Sequence, residues 1–125
     1  MTHPTLSVCI VTYQASQLLG ECLQSLAQNT RLDYEVIVVD NGSTDGVEQM
    51  LREQFPQVRF TGNEKNLGYT LPMNQAMKQA EGLFLLQLNP DTLILPAALD
   101  TLVAYLQQHP EVGICGPKVL NPDRS

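Results

Sequence analysis

Apolar residues follow two rhythms that take turns along this chain. From Leu6 to Tyr13 they cluster rather than alternate, the pattern of a strand covered on both faces. Leu18, Leu19, Cys22, Leu23 and Leu26 then recur at helical spacing, with Ser16 as the expected N-cap. Tyr34 to Val39 reads as a second strand. The polar loop after it leads into a helix with Val47, Met50 and Leu51 on one side and Asp45 and Glu48 in its first turn, where they complement the helix dipole. Val58 to Thr61 is a short third strand. Met73, Ala76, Met77 and Ala80 share the face of the next helix, Pro72 suits its first turn, and Gly82 suits the position just past its end. Leu83 to Leu88 is the fourth strand. Pro96 opens a helix with Leu99, Leu102, Val103 and Leu106 inward, His109-Pro110 closes it, and Val112 to Cys115 predicts a fifth strand.

Strands alternating with helices of about ten residues predict right-handed βαβ units. The expected fold class is therefore α/β, a three-layer α/β/α sandwich around a mainly parallel, Rossmann-like sheet. The chain has 125 residues and 43% apolar content, enough for one domain, 1–125, with a sizeable core. It shows no internal repeat and no low-complexity linker. The tail from Val119 to Ser125 carries no closing element, and the expectation is a piece of a longer protein.

A formal charge of −6 with only seven Lys and Arg argues against a nucleic-acid partner, which would be neutralised by clustered basic residues. An acidic protein that handles a phosphate ligand needs something to offset the repulsion, and a bound cation is the usual means. No segment reaches the roughly 20 apolar residues of a bilayer span, and Met1 to Thr5 lacks the start of a signal peptide. The expected location is cytoplasmic. Cys9, Cys22 and Cys115 are odd in number and without C-x-x-C spacing, so they read as reduced packing residues. His3 and His109 have no triad-like neighbour, and no Ser sits in a G-x-S-x-G elbow.

Candidate chemistry lies where strands run out, since ligands of open parallel sheets bind beyond the carboxyl ends. The loop Thr12-Tyr13-Gln14-Ala15-Ser16 has neither G-x-G-x-x-G nor a P-loop. Its hydroxyl and ring suit stacking on a base, or Tyr13 simply packs the strand end. Asp40 closes a run of apolar residues, where its carboxylate would accept from a base N–H or a ribose hydroxyl. Asn41, Ser43, Thr44 and Asp45 beside it also make an ordinary turn and cap. Asn66-Leu67-Gly68-Tyr69 precedes a helix, where it forms an anion site or a plain turn. Asn89-Pro90-Asp91 places a carboxylate at a strand end, where Mg²⁺ or Mn²⁺ would take it along with substrate phosphates, and is equally a common turn.

Taken in order, Val8-Cys9-Ile10-Val11-Thr12-Tyr13, Val38-Val39-Asp40-Asn41-Gly42-Ser43-Thr44-Asp45-Gly46, Asn66-Leu67-Gly68-Tyr69 with Asn74, and Leu88-Asn89-Pro90-Asp91-Thr92 resemble the family 2 glycosyltransferases. These are inverting enzymes of the GT-A fold, and the resemblance is to the rhamnosyltransferase-like bacterial members. It covers residues 6 to 92. It implies that Thr12, Tyr13 and Asp40 hold the nucleoside of a nucleotide-diphosphate sugar, with Asn41, Asn66, Gly68, Asn74 and Asn89 lining the same pocket. Asn89 and Asp91 stand where the family carries its D-x-D metal motif, so the metal contact falls mainly on Asp91. Leu71 and Pro72 depart from the small or polar residues usual there. The resemblance further implies polysaccharide or cell-wall glycan synthesis, a glycan or lipid-linked acceptor, and a place at the inner face of the membrane for the full-length protein. The catalytic base is expected beyond Ser125. Two other readings stay open: a sugar-phosphate nucleotidyltransferase, which would carry a Gly- and Arg-rich loop after the first strand, and a non-catalytic nucleotide-binding or interaction module.

Overall fold

A computed structural model describes residues 3–125; Met1 and Thr2, where the terminal-leader reading begins, lie outside the described residues. Four parallel strands, β1 (Leu6–Thr12), β2 (Tyr34–Asp40), β3 (Arg59–Gly62) and β4 (Phe84–Leu88), form one sheet in the order β3-β2-β1-β4. Helices α1 (Ser16–Asn29), α2 (Val47–Gln54), α3 (Thr70–Gln79) and α4 (Ala98–Gln108) complete the alternation. This is the expected α/β architecture.

The apolar clustering in β1 has the expected cause. Val8 and Ile10 join α1, α2 and α4 in one core, while Cys9 and Val11 face Met73 and Ala76 of α3 on the other side of the sheet. All seven β1 residues are buried. Fully covering side chains of this size stabilises by about 1.5–3 kcal/mol each. Register is fixed along the whole strand, from Leu6 opposite Tyr34 to Thr12 opposite Asp40.

The amino end of the sheet is fastened by polar groups. The Glu35 carboxylate accepts from Ser7 Oγ at 2.6 Å and from the Glu81 N–H at 2.7 Å, and pairs with Arg59 at 2.8 Å. Burial works to raise the Glu35 carboxyl, but these hydrogen bonds and the Arg59 charge outweigh it, and the group titrates below the usual carboxylate value. Ser7 Oγ also accepts from the Gly82 N–H at 2.8 Å.

Several expectations need correction. Gly82 does not cap α3 with a left-handed residue; the helix ends at Gln79 with Ala80 extended. Glycine is required because a β-carbon there would stand 2.6 Å from Ser7 Oγ and 2.7 Å from Ser7 N. Val112 to Cys115 is not a strand. Its backbone turns at His109, whose carbonyl accepts from Val112 N, and Ile114 is 92% exposed. Apolar content favoured a strand there, but a strand exists only when a neighbour supplies its ladder, and β4 remains the sheet edge. Cys115 accordingly is half-buried, its thiol near the Leu102 carbonyl, whereas Cys9 and Cys22 are buried and free as expected. Ser16 is the first residue of α1 rather than its cap, the cap being Ala15. Pro96 lies ahead of the Ala97 cap of α4.

Candidate functional site

Crossovers from β1 run to β2 and β3 on one side, and the chain returns to the other side of β1 with β4. The carboxyl edge between β1 and β4 is therefore the topological switch point, the place where open parallel sheets receive ligands. Register brings the candidates to this edge. Thr12 pairs with Asp40, and Ile10 pairs with Leu88, so the Asn89-Pro90-Asp91 turn begins one residue beyond that pair. The acids at 40 and 91 thus leave the same edge of the sheet, on strands that both flank β1.

Asp40 is 3% exposed, and its carboxylate is held by its own loop. Ser43 donates to it twice, through its N–H at 2.8 Å and through its hydroxyl. Asn41, 4% exposed, ties the next loop in: Nδ2 donates to the Gly68 carbonyl at 2.7 Å, and Oδ1 accepts from the Leu67 N–H at 3.3 Å. Gly68 has φ +83, the left-handed region that glycine enters without strain. Asn66 Oδ1 accepts from the Gly68 N–H at 2.8 Å, which makes this loop a closed turn. Asn74 projects from α3 as an exposed residue.

Thr12 and Tyr13 behave oppositely. The Thr12 hydroxyl is buried and has no hydrogen-bond partner among the described residues, whereas Tyr13 is 51% exposed at the mouth of the edge. The ring is open to a stacking partner, and the hydroxyl of the preceding threonine is an unmet polar group. On the β4 side, Asn89 and Asp91 are exposed. Their loop is closed by Thr92, whose hydroxyl donates to the Asn89 carbonyl at 2.7 Å. Cys22 of α1 lies underneath, its sulfur 3.8 Å from Thr92 Oγ1. Burial pushes the Cys22 thiol up, and the Asp91 charge adds to this against the Thr92 hydrogen bonds.

Ser43, Thr44 and Asp45 do the turn and capping work the sequence allowed, with one difference. Asp45 lies ahead of α2, which begins at Val47, and its carboxylate accepts from the Ser16 N–H of α1 at 2.9 Å. Sequence reading gave no role to Gln14, whose φ of 48 is left-handed and whose side chain meets Thr44. Nothing in the periodicity flagged it. A groove of about 870 Å³ runs alongside, between α1 and α2, lined by Leu18, Met50 and Phe55 among others. It borders the site at Gln14 and Asp45 and contains neither Asp40 nor Asp91.

A parallel α/β sheet that gathers a buried and an exposed acid beside its switch point has the architecture of a ligand-binding α/β domain. The family model described as glycosyl transferase family 2 matches residues 7–124, and the chain belongs to that family. It is 31% identical, over 96% of its length, to the N-acetylglucosaminyl-diphospho-decaprenol L-rhamnosyltransferase of Mycobacterium tuberculosis, of which it spans 43%. It is 32% identical over 82% of its length to the poly(ribitol-phosphate) beta-N-acetylglucosaminyltransferase TarS of Staphylococcus aureus, of which it spans 19%. The crystal structure of TarS residues 1–349 with UDP-GlcNAc superposes with a TM-score of 0.76 at 33% identity, covering 84% of this chain and 32% of that one. The mannosyltransferase PcManGT of Pyrobaculum calidifontis, in complex with GDP-Man and Mn²⁺, superposes with a TM-score of 0.74 at 26% identity, covering 85% of this chain and 33% of that one. The chain therefore spans less than half the length of these relatives.

Proposed function

We propose that residues 1–125 form the donor-binding half of a glycosyltransferase that moves a sugar, with inversion, from a nucleotide diphosphate to an acceptor hydroxyl. The observation that carries this reading is the buried Asp40 carboxylate paired in register with Thr12, with the Asn89-Pro90-Asp91 turn across β1 from it. Tyr13 would stack on the base and Asp40 would accept from the base or ribose. Asn41, Asn66, Gly68 and Asn74 would shape the neighbouring wall, and Asn89 would orient the sugar diphosphate. Thr12 would contribute through a hydroxyl that has no hydrogen-bond partner among the described residues.

The donor set suits a divalent cation bound together with the substrate. Among the described residues no group of three or more His, Cys, Asp and Glu converges to hold a metal, and Asp91 is a single exposed carboxylate. Mg²⁺ and Mn²⁺ accept such a site, taking one or two carboxylates and completing their shell with phosphate oxygens and water. When bound, the cation would supply charge stabilisation for the departing diphosphate. The Mn²⁺ in the PcManGT complex supports this assignment.

The acceptor side is proposed to come from outside residues 1–125. Acids after Thr92 already have partners: Asp100 takes the N–H groups of Arg31 and Leu32, Glu111 sits 3.2 Å from His109 Nδ1, and Asp123 accepts from Ser125 N. The general base would then be an acid elsewhere in a longer protein. The relative's name carries a diphospho-decaprenol acceptor, which supports a lipid-linked acceptor; glycan assembly at the cytoplasmic, inner face of the membrane is proposed with it. No helix among the described residues is long and apolar enough to cross a membrane.

Calorimetric titration of the chain with UDP-, dTDP- and GDP-sugars, with and without Mn²⁺, tests the reading. One donor should bind with an affinity that Mn²⁺ raises. A flat titration for all three would leave the non-catalytic interaction module as the better description.

A further inference from the structure

Three consecutive side chains of the loop after β2 reach back to the loop after β1. Ser43 Oγ accepts from the Gln14 N–H at 2.8 Å while donating to Asp40 Oδ1. One hydroxyl therefore joins the Tyr13–Gln14 peptide to the Asp40 carboxylate. The Gln14 amide closes a second link, donating from Nε2 to Thr44 Oγ1 at 3.0 Å and accepting from the Thr44 N–H at 3.1 Å. Asp45 adds a third link at Ser16.

Gln14 holds φ at 48, in the left-handed region that a residue with a β-carbon enters at a cost. Glycine would make that bend without cost, so the position is set by what its amide does. The links also have direction. Tyr13 is bracketed by Thr12, the register partner of Asp40, and by Gln14, tied to Asp40 through Ser43. The Asp40 oxygens, each holding one bond from Ser43, keep further lone pairs for a ligand.

We propose that Gln14 and Ser43 are positioning residues for the donor's nucleoside: they fix the Tyr13 ring and the Asp40 carboxylate relative to one another before the ligand arrives. Neither touches the ligand. The inference rests on the donor-binding reading above and adds the pre-ordering of its nucleoside end. Without the clamp, binding has to order two loops, and that cost appears as lost affinity.

The test uses UDP, dTDP and GDP with Mn²⁺, the tightest binder serving as probe, and inorganic pyrophosphate with Mn²⁺ as the reference. Gln14→Gly keeps the left-handed bend and deletes the amide; Ser43→Ala deletes the hydroxyl and Ser43→Thr restores it. Gln14→Gly and Ser43→Ala should each weaken the nucleoside diphosphate about tenfold, equivalent to about 1.4 kcal/mol. Ser43→Thr should match the parent, and pyrophosphate binding and the Mn²⁺ enhancement should stay unchanged in all three. Parent-like nucleotide affinity in Gln14→Gly overturns the inference, as does an equal loss for pyrophosphate, which marks general loosening. If either variant is unfolded by circular dichroism, Thr44→Val takes its place, since it removes the hydroxyl half of the outer link and leaves the Thr44 N–H bond, and should show a smaller loss confined to the nucleoside. A parent protein that binds none of the three nucleotides overturns the donor site itself, a result distinct from a binding parent with unaffected variants.

Discussion

Asp45 caps a helix it does not belong to: its carboxylate accepts from the Ser16 N–H at 2.9 Å, at the start of α1, while its own backbone lies before α2. The Ala15 cap of α1 makes no side-chain hydrogen bond, so Asp45 satisfies one of the free amides there and places negative charge at the helix's positive end. Asp45→Ala should lower stability by about 1 kcal/mol in urea denaturation, the usual loss for an N-cap side chain. Asp45→Asn, which keeps the acceptor and drops the charge, should lose less.

Gly82→Ala should be costly although it adds one methyl group. The new β-carbon would stand 2.6 Å from Ser7 Oγ, 2.7 Å from Ser7 N and 2.9 Å from the Leu6 carbonyl carbon. Two of those atoms are backbone of the central strand, which cannot step aside. Roughly 1–3 kcal/mol or more should be lost, as for other overpacked sites. Adding Ser7→Ala should not restore the stability, because the backbone contacts persist.

Acid should weaken the amino end of the sheet through Glu35. Its folded pKa lies below the ordinary 4.5 because the hydrogen bonds from Ser7 and Glu81 and the Arg59 charge overcome the opposing effect of burial. A depressed carboxylate contributes stability that is present above the unfolded value and lost as pH falls through the folded one. Denaturation midpoints should therefore drop below about pH 4.5, and Glu35→Gln should start less stable at neutral pH and show a shallower drop.

Asp91→Ala should abolish the Mn²⁺ dependence of donor binding and leave folding within about 0.5 kcal/mol of the parent, as expected of an exposed loop residue. Calorimetry of the donor with and without Mn²⁺, beside a melting curve, reads both effects. Survival of the metal dependence would remove Asp91 from the site.

Much of this molecule was legible because burial leaves a pattern in the chain. The runs at Leu6–Thr12 and Tyr34–Asp40 are mostly apolar, broken only by Ser7, Thr12, Glu35 and Asp40, since helices cover both sides of those strands, and the Leu19, Cys22, Leu23 and Leu26 stripe points α1 into the same core. Strand ends then mark the candidate site, because the switch point follows from strand order. Partnership between distant polar groups leaves no such trace. Asp45 looked like an aid to the helix after it, Gly82 like a helix stop, and Gln14 like a neutral loop residue; each is explained by a contact 29 to 75 residues away. The Val112 to Cys115 run failed for the same reason, since its composition suits a strand while pairing depends on a neighbour. The family resemblance drawn from the four motifs agrees with the match over residues 7–124.

The outer margin of β4 has a practical consequence. Phe84 to Leu88 carries no charge and no proline, its amides and carbonyls on one side have no ladder partner among the described residues, and Leu83 and Leu85 are 77% and 51% exposed. Such a ribbon is adhesive. Purified at high concentration the chain should associate with itself, visible as a rising mass in light scattering, and Leu85→Lys should keep it monomeric without disturbing the opposite end of the sheet.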